Sequence, residues 1–127
     1  MHGERNYPFE KAASDLDIAL PDGTGDDKYL EHLESALSQM FSRFDPQLLI
    51  FLAGADPHEG DRLGRLRLSM AGMATRDTMV MEAASRRGLP VAIAMAGGYG
   101  RVIEDTVALH LQTIMIASRY CRATVVA

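Results

Sequence analysis

Leu48-Leu49-Ile50-Phe51-Leu52-Ala53-Gly54-Ala55-Asp56-Pro57-His58-Glu59-Gly60-Asp61 is an apolar run that ends in a loop carrying a carboxylate. The pattern recurs downstream, where Val91-Ala92-Ile93-Ala94-Met95-Ala96 runs into Gly97-Gly98-Tyr99-Gly100, with a helical pattern between the two. Two near-continuous apolar runs separated by a helix predict a βαβ unit whose strands are parallel and buried on both faces. Parallel strands end on the same edge of a sheet. Asp56 and Tyr99 are therefore expected on one rim, where open α/β folds place their ligand crevice.

Outward from this unit the elements follow from spacing and punctuation. Leu30, Leu33, Leu37, Met40, Phe41 and Phe44 recur at three- and four-residue steps, which predicts a helix over 27–43 ending before Asp45-Pro46. The turn cluster Pro21 to Asp26 precedes it, with Thr24 or Asp26 as candidate N-cap. Asp15 to Leu20 alternates as a short strand, and residues 1–14 read as a loop. A second helix starts near Ser69 and stops at Arg86-Arg87-Gly88-Leu89-Pro90, with Met73, Val80, Met81 and Ala84 as its core stripe. A third spans about 103–118, with Ile103, Val107, Leu111, Ile114 and Met115 as its apolar stripe. The tail 119–127 reads either as a strand at Ala123-Thr124-Val125-Val126-Ala127 or as a frayed end. The predicted class is α/β, in one domain.

At 127 residues the chain buries about two thirds of its unfolded surface, small for an α/β enzyme with a deep pocket. Its 13 basic and 17 acidic residues give a formal charge of −4, which supplies no electrostatic reason to bind nucleic acid or an anionic membrane. No window approaches the roughly 18 consecutive apolar residues of a membrane span, and Met1-His2-Gly3-Glu4-Arg5 lacks the apolar core of a signal peptide. A lone cysteine, Cys121, excludes an internal disulfide and a multi-cysteine metal cluster. A cytoplasmic protein is the expectation.

The rim residues admit several chemistries. A carboxylate after a strand can hold a metal ion, act as a base or cap a turn. Asp56-Pro57-His58 offers only two ligands, fewer than a catalytic zinc needs, so His58 is read as an exposed loop histidine. The glycines of Gly97-Gly98-Tyr99-Gly100 let the backbone approach a ligand, and a tyrosine between them can donate its hydroxyl to a developing oxyanion without ionising. The plain alternative is a tight turn with an exposed tyrosine. Asp61 is expected to brace its own loop, Glu104 and Asp105 to serve the dipole of the third helix, and His110 to be a packed or interface histidine.

Four blocks in order carry a resemblance: His2-Gly3-Glu4-Arg5-Asn6-Tyr7-Pro8-Phe9; Leu20-Pro21-Asp22-Gly23-Thr24-Gly25-Asp26 with Tyr29-Leu30; Ala53-Gly54-Ala55-Asp56 with Gly60-Asp61-Arg62-Leu63-Gly64; and Gly97-Gly98-Tyr99. From residue 2 to about 117 the chain resembles the C-terminal part of bacterial histone-deacetylase-like proteins, a family that includes acetoin-utilisation proteins and acetylpolyamine amidohydrolases. The resemblance implies a three-layer α/β sandwich with a mainly parallel sheet, the arginase/deacetylase fold. It implies zinc-dependent hydrolysis of an acetylated amine such as acetyl-lysine. Asp56 matches one of three zinc ligands, Tyr99 the residue that polarises the amide carbonyl, Leu63 a pocket-lining position, and Gly97 and Gly98 the acyl channel.

The departure is as informative. The family's other two ligands come from an Asp-x-His motif on an earlier strand and its bases from a His-His pair; here the sole Asp-x-His, Asp56-Pro57-His58, already belongs to the third-ligand loop, and no two of His2, His32, His58 and His110 are adjacent. The family pattern runs upstream of residue 1, so the chain is expected to be a C-terminal fragment. One carboxylate makes a weak metal site, so zinc is not expected to stay bound and activity is not expected from the chain alone. An uncovered strand edge and face predict self-association. The alternative is a non-catalytic α/β module binding a small ligand or a protein at the same rim.

Overall fold

A computed structural model describes residues 1–121. Seven elements follow in chain order: β1 (His2–Gly3), β2 (Ala19–Leu20), α1 (Asp26–Arg43), β3 (Leu49–Gly54), α2 (Met70–Ser85), β4 (Val91–Ala96) and α3 (Ile103–Ser118). The proposed strand at 123–127 lies outside the described residues. β3 and β4 pair in parallel with α2 between them, in register from Leu49 opposite Val91 to Gly54 opposite Ala96. The βαβ unit predicted from the two apolar runs is therefore present, and both strands deliver their C-termini to one edge.

The start of the chain differs from expectation. Residues 2–3 pair in parallel with Ala19–Leu20, so a strand stands inside the segment read as loop, and the alternating run Asp15–Leu20 contributes only its last two residues. A two-residue ladder between distant segments has no local periodicity to announce it. The α1 cap differs too: Gly25 occupies the N-cap with no side-chain bond, and Asp26 is the first helical residue. Its carboxylate accepts from Ser69 N (2.8 Å) and Ser69 Oγ (2.6 Å), while Ser69 Oγ accepts from Gly72 N (3.0 Å) as the predicted cap of α2. One aspartate thus ties the starts of two helices together. α2 ends as read, with Gly88 at φ +65° and Leu89 N donating to Ala84 O (3.1 Å).

The core is built by Leu20, Tyr29, Leu33, Leu66, Leu68, Met73, Val80 and Leu109, with Leu49 and Phe51 of β3 packed against it. The expectation that the strands are buried on both faces fails here. Ile50, Leu52, Ala92 and Ala94 form a solvent-facing surface, with Leu52 66% exposed. A continuous apolar run records what the residues prefer, and no described element covers that face. α3 departs further. Its predicted stripe, Ile103, Val107, Leu111, Ile114 and Met115, points outward, with Val107 60% exposed, whereas Thr106, Leu109, Thr113 and Ile116 face the core. His110 is half-buried.

Thr113 takes the inner face of α3 where a buried charge pair lies beneath it. Arg76 Nη2 stands 2.7 Å from Asp77 Oδ1 and Nε donates to the same oxygen at 2.8 Å, with Asp77 only 1% exposed. Thr113 Oγ1 donates to Asp77 Oδ2 (2.5 Å), Arg76 Nη1 donates to the Gly54 carbonyl (2.7 Å), and the guanidinium lies over the Phe51 ring. Every oxygen of Asp77 is used. Removing one member of such a pair leaves an uncompensated buried charge, so Asp77→Ala is expected to destabilise the fold by about 3–5 kcal/mol in urea titration. A loss below about 1 kcal/mol overturns the role given to this pair.

Candidate functional site

The site forms where β3 and β4 end. Their last paired residues are Gly54 and Ala96, and the ladder continues one step through Ala55 N donating to Gly97 O (3.0 Å). The chains then part, and the two loops enclose a cavity of about 200 Å³ whose wall includes Asp56, Leu63, Gly97, Gly98 and Tyr99. All five residues singled out in the sequence thus meet at one place. Asn6, Tyr7, Asp61 and Gly64 complete the wall.

Close backbone approach explains the small residues. A Cβ built on Gly97 falls 2.6 Å from Asp56 Oδ1, and one on Gly54 meets the same oxygen. Gly97 and Gly98 take φ of +33° and +146°, conformations that L side chains rarely adopt. The carboxylate of Asp56 therefore lies directly against the two strand ends. Burial, opposed by a hydrogen bond from its own backbone amide and by Arg76 and reinforced by the nearby Asp61 charge, pushes its carboxyl above the usual carboxylate range.

Asp61 holds the two loops together. It is 4% exposed, and its oxygens accept from Leu63 N (2.8 Å), Gly64 N (2.6 Å) and Tyr99 N (2.5 Å). Around it, Arg62 N donates to Tyr99 O (3.1 Å) and Arg101 N to Gly60 O (3.0 Å). The expected brace within one loop is a clamp across both. Tyr99 stays 57% exposed as a residue while its backbone amide and carbonyl are bonded. His58, expected to be exposed, is half-buried, and its Nδ1 accepts from Gly60 N (3.2 Å), so it closes the turn leading to Asp61.

Sequence reasoning missed Asn6 and Tyr7 at the wall and Arg76–Asp77 beneath it. The buried pair did leave a trace: Asp77 stands four residues after Met73 and three before Val80, a charge on the core stripe of α2. Asn6 Oδ1 is buried with no hydrogen-bond partner among the described residues.

Residues 1–114 match the histone deacetylase domain. The chain belongs to the histone deacetylase family. It is 42% identical over 110 residues to an uncharacterized protein of Picosynechococcus, covering 87% of this chain and 37% of that one. It is 35% identical over 114 residues to histone deacetylase 2 of Arabidopsis thaliana, covering 84% and 30%. A crystal structure of a histone deacetylase homologue complexed with SAHA superposes with a TM-score of 0.72 at 26% identity, over 94% of this chain and 33% of that one. The α/β arrangement is that of the arginase/deacetylase fold. The chain spans about a third of the length of these relatives.

The family's zinc sets a test of the donor atoms. Among the described residues no three His, Cys, Asp or Glu side chains converge as a metal-binding group. Asp61, the second carboxylate on the wall, already serves three amides. A catalytic zinc takes three protein ligands, so the residues present do not fit a zinc centre on their own.

Two measurements probe this geometry. Asp61→Asn removes the charge and an acceptor, and the Tyr99 amide is expected to lose at least about tenfold in hydrogen-exchange protection, the cost of a weakened bond to a charged group. Unchanged protection would show that Asp61 does not hold the tyrosine loop. For Asp56, a raised carboxyl pKa means that the folded state favours the neutral form. Its stabilising contribution is full below the unfolded pKa and is lost as pH rises through the folded one. Asp56→Asn is thus expected to raise the melting temperature by a few degrees at neutral pH, with the gain vanishing in acid. A lower melting temperature at neutral pH sinks the burial argument.

Proposed function

We propose that this chain supplies one half of a zinc-dependent deacylation site acting on an acetylated amine. Asp56 is the metal-ligand carboxylate, Tyr99 the phenol that donates to the amide oxygen as it becomes an oxyanion, Leu63 the pocket wall, and Gly97 and Gly98 the floor of the acyl channel. The observation that carries this reading is the meeting of these five residues in one cavity at the shared end of two parallel strands. Tyr99 fits its role because its backbone is clamped while the residue stays exposed. Asn6 Oδ1, buried and without a partner among the described residues, is an acceptor that an amide N–H can satisfy.

The chain by itself is inactive in this proposal. A single free carboxylate does not retain zinc, and among the described residues no histidine lines the cavity to take a proton from water. The uncovered apolar surfaces of β3–β4 and α3 drive the isolated chain to self-associate. The setting is cytoplasmic, consistent with one exposed, unpaired cysteine.

The purified chain is expected to hold no stoichiometric zinc, to release no acetate from an acetyl-lysine peptide, and to sediment as a concentration-dependent oligomer. Stoichiometric zinc with acetate release abolished by Tyr99→Phe would overturn the inactivity, and a monomer at all concentrations would overturn the self-association.

A further inference from the structure

Next to the Asp56 cavity lies a larger one of about 710 Å³, on which Arg5, Arg62, Arg65, Arg67 and Arg101 converge. Tyr7, Asp61, Leu63 and Gly64 line both cavities, so they share a wall. In a chain of formal charge −4, five of thirteen basic residues are gathered at this one spot. Their neutralisation is slight. Arg65 stands 4.0 Å from Asp22 and Arg5 3.4 Å from Glu4, both solvent-exposed pairs of little strength. Asp61 has its oxygens committed to backbone amides.

Two of the five arginines are tied to carbonyls that leave nitrogens free. Arg62 Nε donates to Tyr99 O (3.2 Å), and Arg67 Nη1 to Glu59 O (2.8 Å), each leaving further guanidinium N–H groups unused. The Arg101 side chain makes no hydrogen bond or ion pair among the described residues. Two of these contacts run to the loops that carry Asp56 and Tyr99. All five arginines are exposed, and two of them, Arg62 and Arg67, are registered against the loops of the acyl site.

We propose that this arginine-lined cavity selects the substrate of the deacylation site, taking a carboxylate carried by a small N-acylated amine. The inference rests on the deacylation reading above. The guanidinium fork matches a carboxylate bidentately. The acetamide enters the Asp56 cavity, the chain passes Leu63 and Gly64, and the carboxylate reaches the arginines. The same field repels an acylated polyamine, whose free end is a cation.

Nuclear magnetic resonance titration of the isotope-labelled full chain tests this with three probes of one length: 6-acetamidohexanoate, its neutral primary amide and N-acetylcadaverine. The carboxylate is expected to bind at least about tenfold more tightly than the neutral amide, with the cation weakest, and to shift Gly98 and Tyr99 resonances. In Arg62→Gln/Arg101→Gln that preference is expected to disappear while the rest of the spectrum is kept. Equal affinity for the three probes, a preference for the cation, a preference that survives in the double variant, or no binding of 6-acetamidohexanoate at millimolar concentration overturns the proposal. Hexanoate, which lacks the acetamide, separates the two readings. If it matches 6-acetamidohexanoate and neither moves Gly98 or Tyr99, the deacylation reading falls and the substrate assignment with it. Shifts at Gly98 and Tyr99 that are indifferent to the carboxylate leave the deacylation reading standing and discard only the arginine subsite.

Discussion

The in-register parallel pairing of β3 with β4 governs everything at the site. Six residue pairs, from Leu49–Val91 to Gly54–Ala96, fix how far each strand advances before it turns. A slip of one residue would move Asp56 away from Gly97 and turn each side chain of one strand to the opposite face. The register is secured from below as well, because Arg76 donates to the Gly54 carbonyl, at the last paired position. That bond is available only because Asp77 neutralises the guanidinium and Thr113 satisfies the remaining carboxylate oxygen. A polar network inside an apolar layer thereby sets the height at which the two loops separate.

Three aspartates near this edge show how environment assigns roles. Asp77 is buried against a cation and a hydroxyl, and it is a structural counter-ion. Asp61 is buried against three amide N–H groups, which occupy its oxygens without any cation. Asp56 has neither arrangement: it is desolvated, lies against glycine backbone and feels the Asp61 charge. It is the one of the three whose ionised form is disfavoured on balance among the described residues, burial outweighing a backbone hydrogen bond and the more distant Arg76. A desolvated carboxylate at a cavity wall is a natural place for an external positive charge.

The parts of this arrangement that were legible in the sequence are those set by chain-local rules. The two apolar runs and the α2 stop at Gly88 and Pro90 announce the βαβ unit, and the glycines around Tyr99 announce a backbone held close to something. Asp56, Leu63 and the Gly97–Tyr99 loop follow from motifs. What was not legible depends on partners far apart in sequence. Nothing near Asp61 says that its third amide comes from Tyr99, nor near Asp26 that its carboxylate reaches Ser69. The outward turn of Val107 and Leu111 is invisible for the same reason. Periodicity says that α3 has an apolar stripe, but with Thr113 bonded to a buried aspartate the helix turns the Thr113 face to the core and that stripe outward.

The exposed apolar surfaces bear on how independent the site is. The core rests on Leu20, Leu66, Leu68, Met73 and Val80, contributed by loops and α2 as much as by the sheet. Ile50, Leu52, Ala92 and Ala94 add nothing to it, since they face solvent. The clamp at Asp61 and the Arg76 bond to Gly54 lie on the strand ends and the helical side, so neither depends on what covers the open face. Burying that face against another surface adds stability at roughly 25 cal/mol per Å² of apolar area without repositioning Asp56 or Tyr99. The cavity is therefore preorganised by contacts internal to these residues. What a covering surface can contribute is further side chains aimed at the gap beside Asp56, which is where the donor set is short.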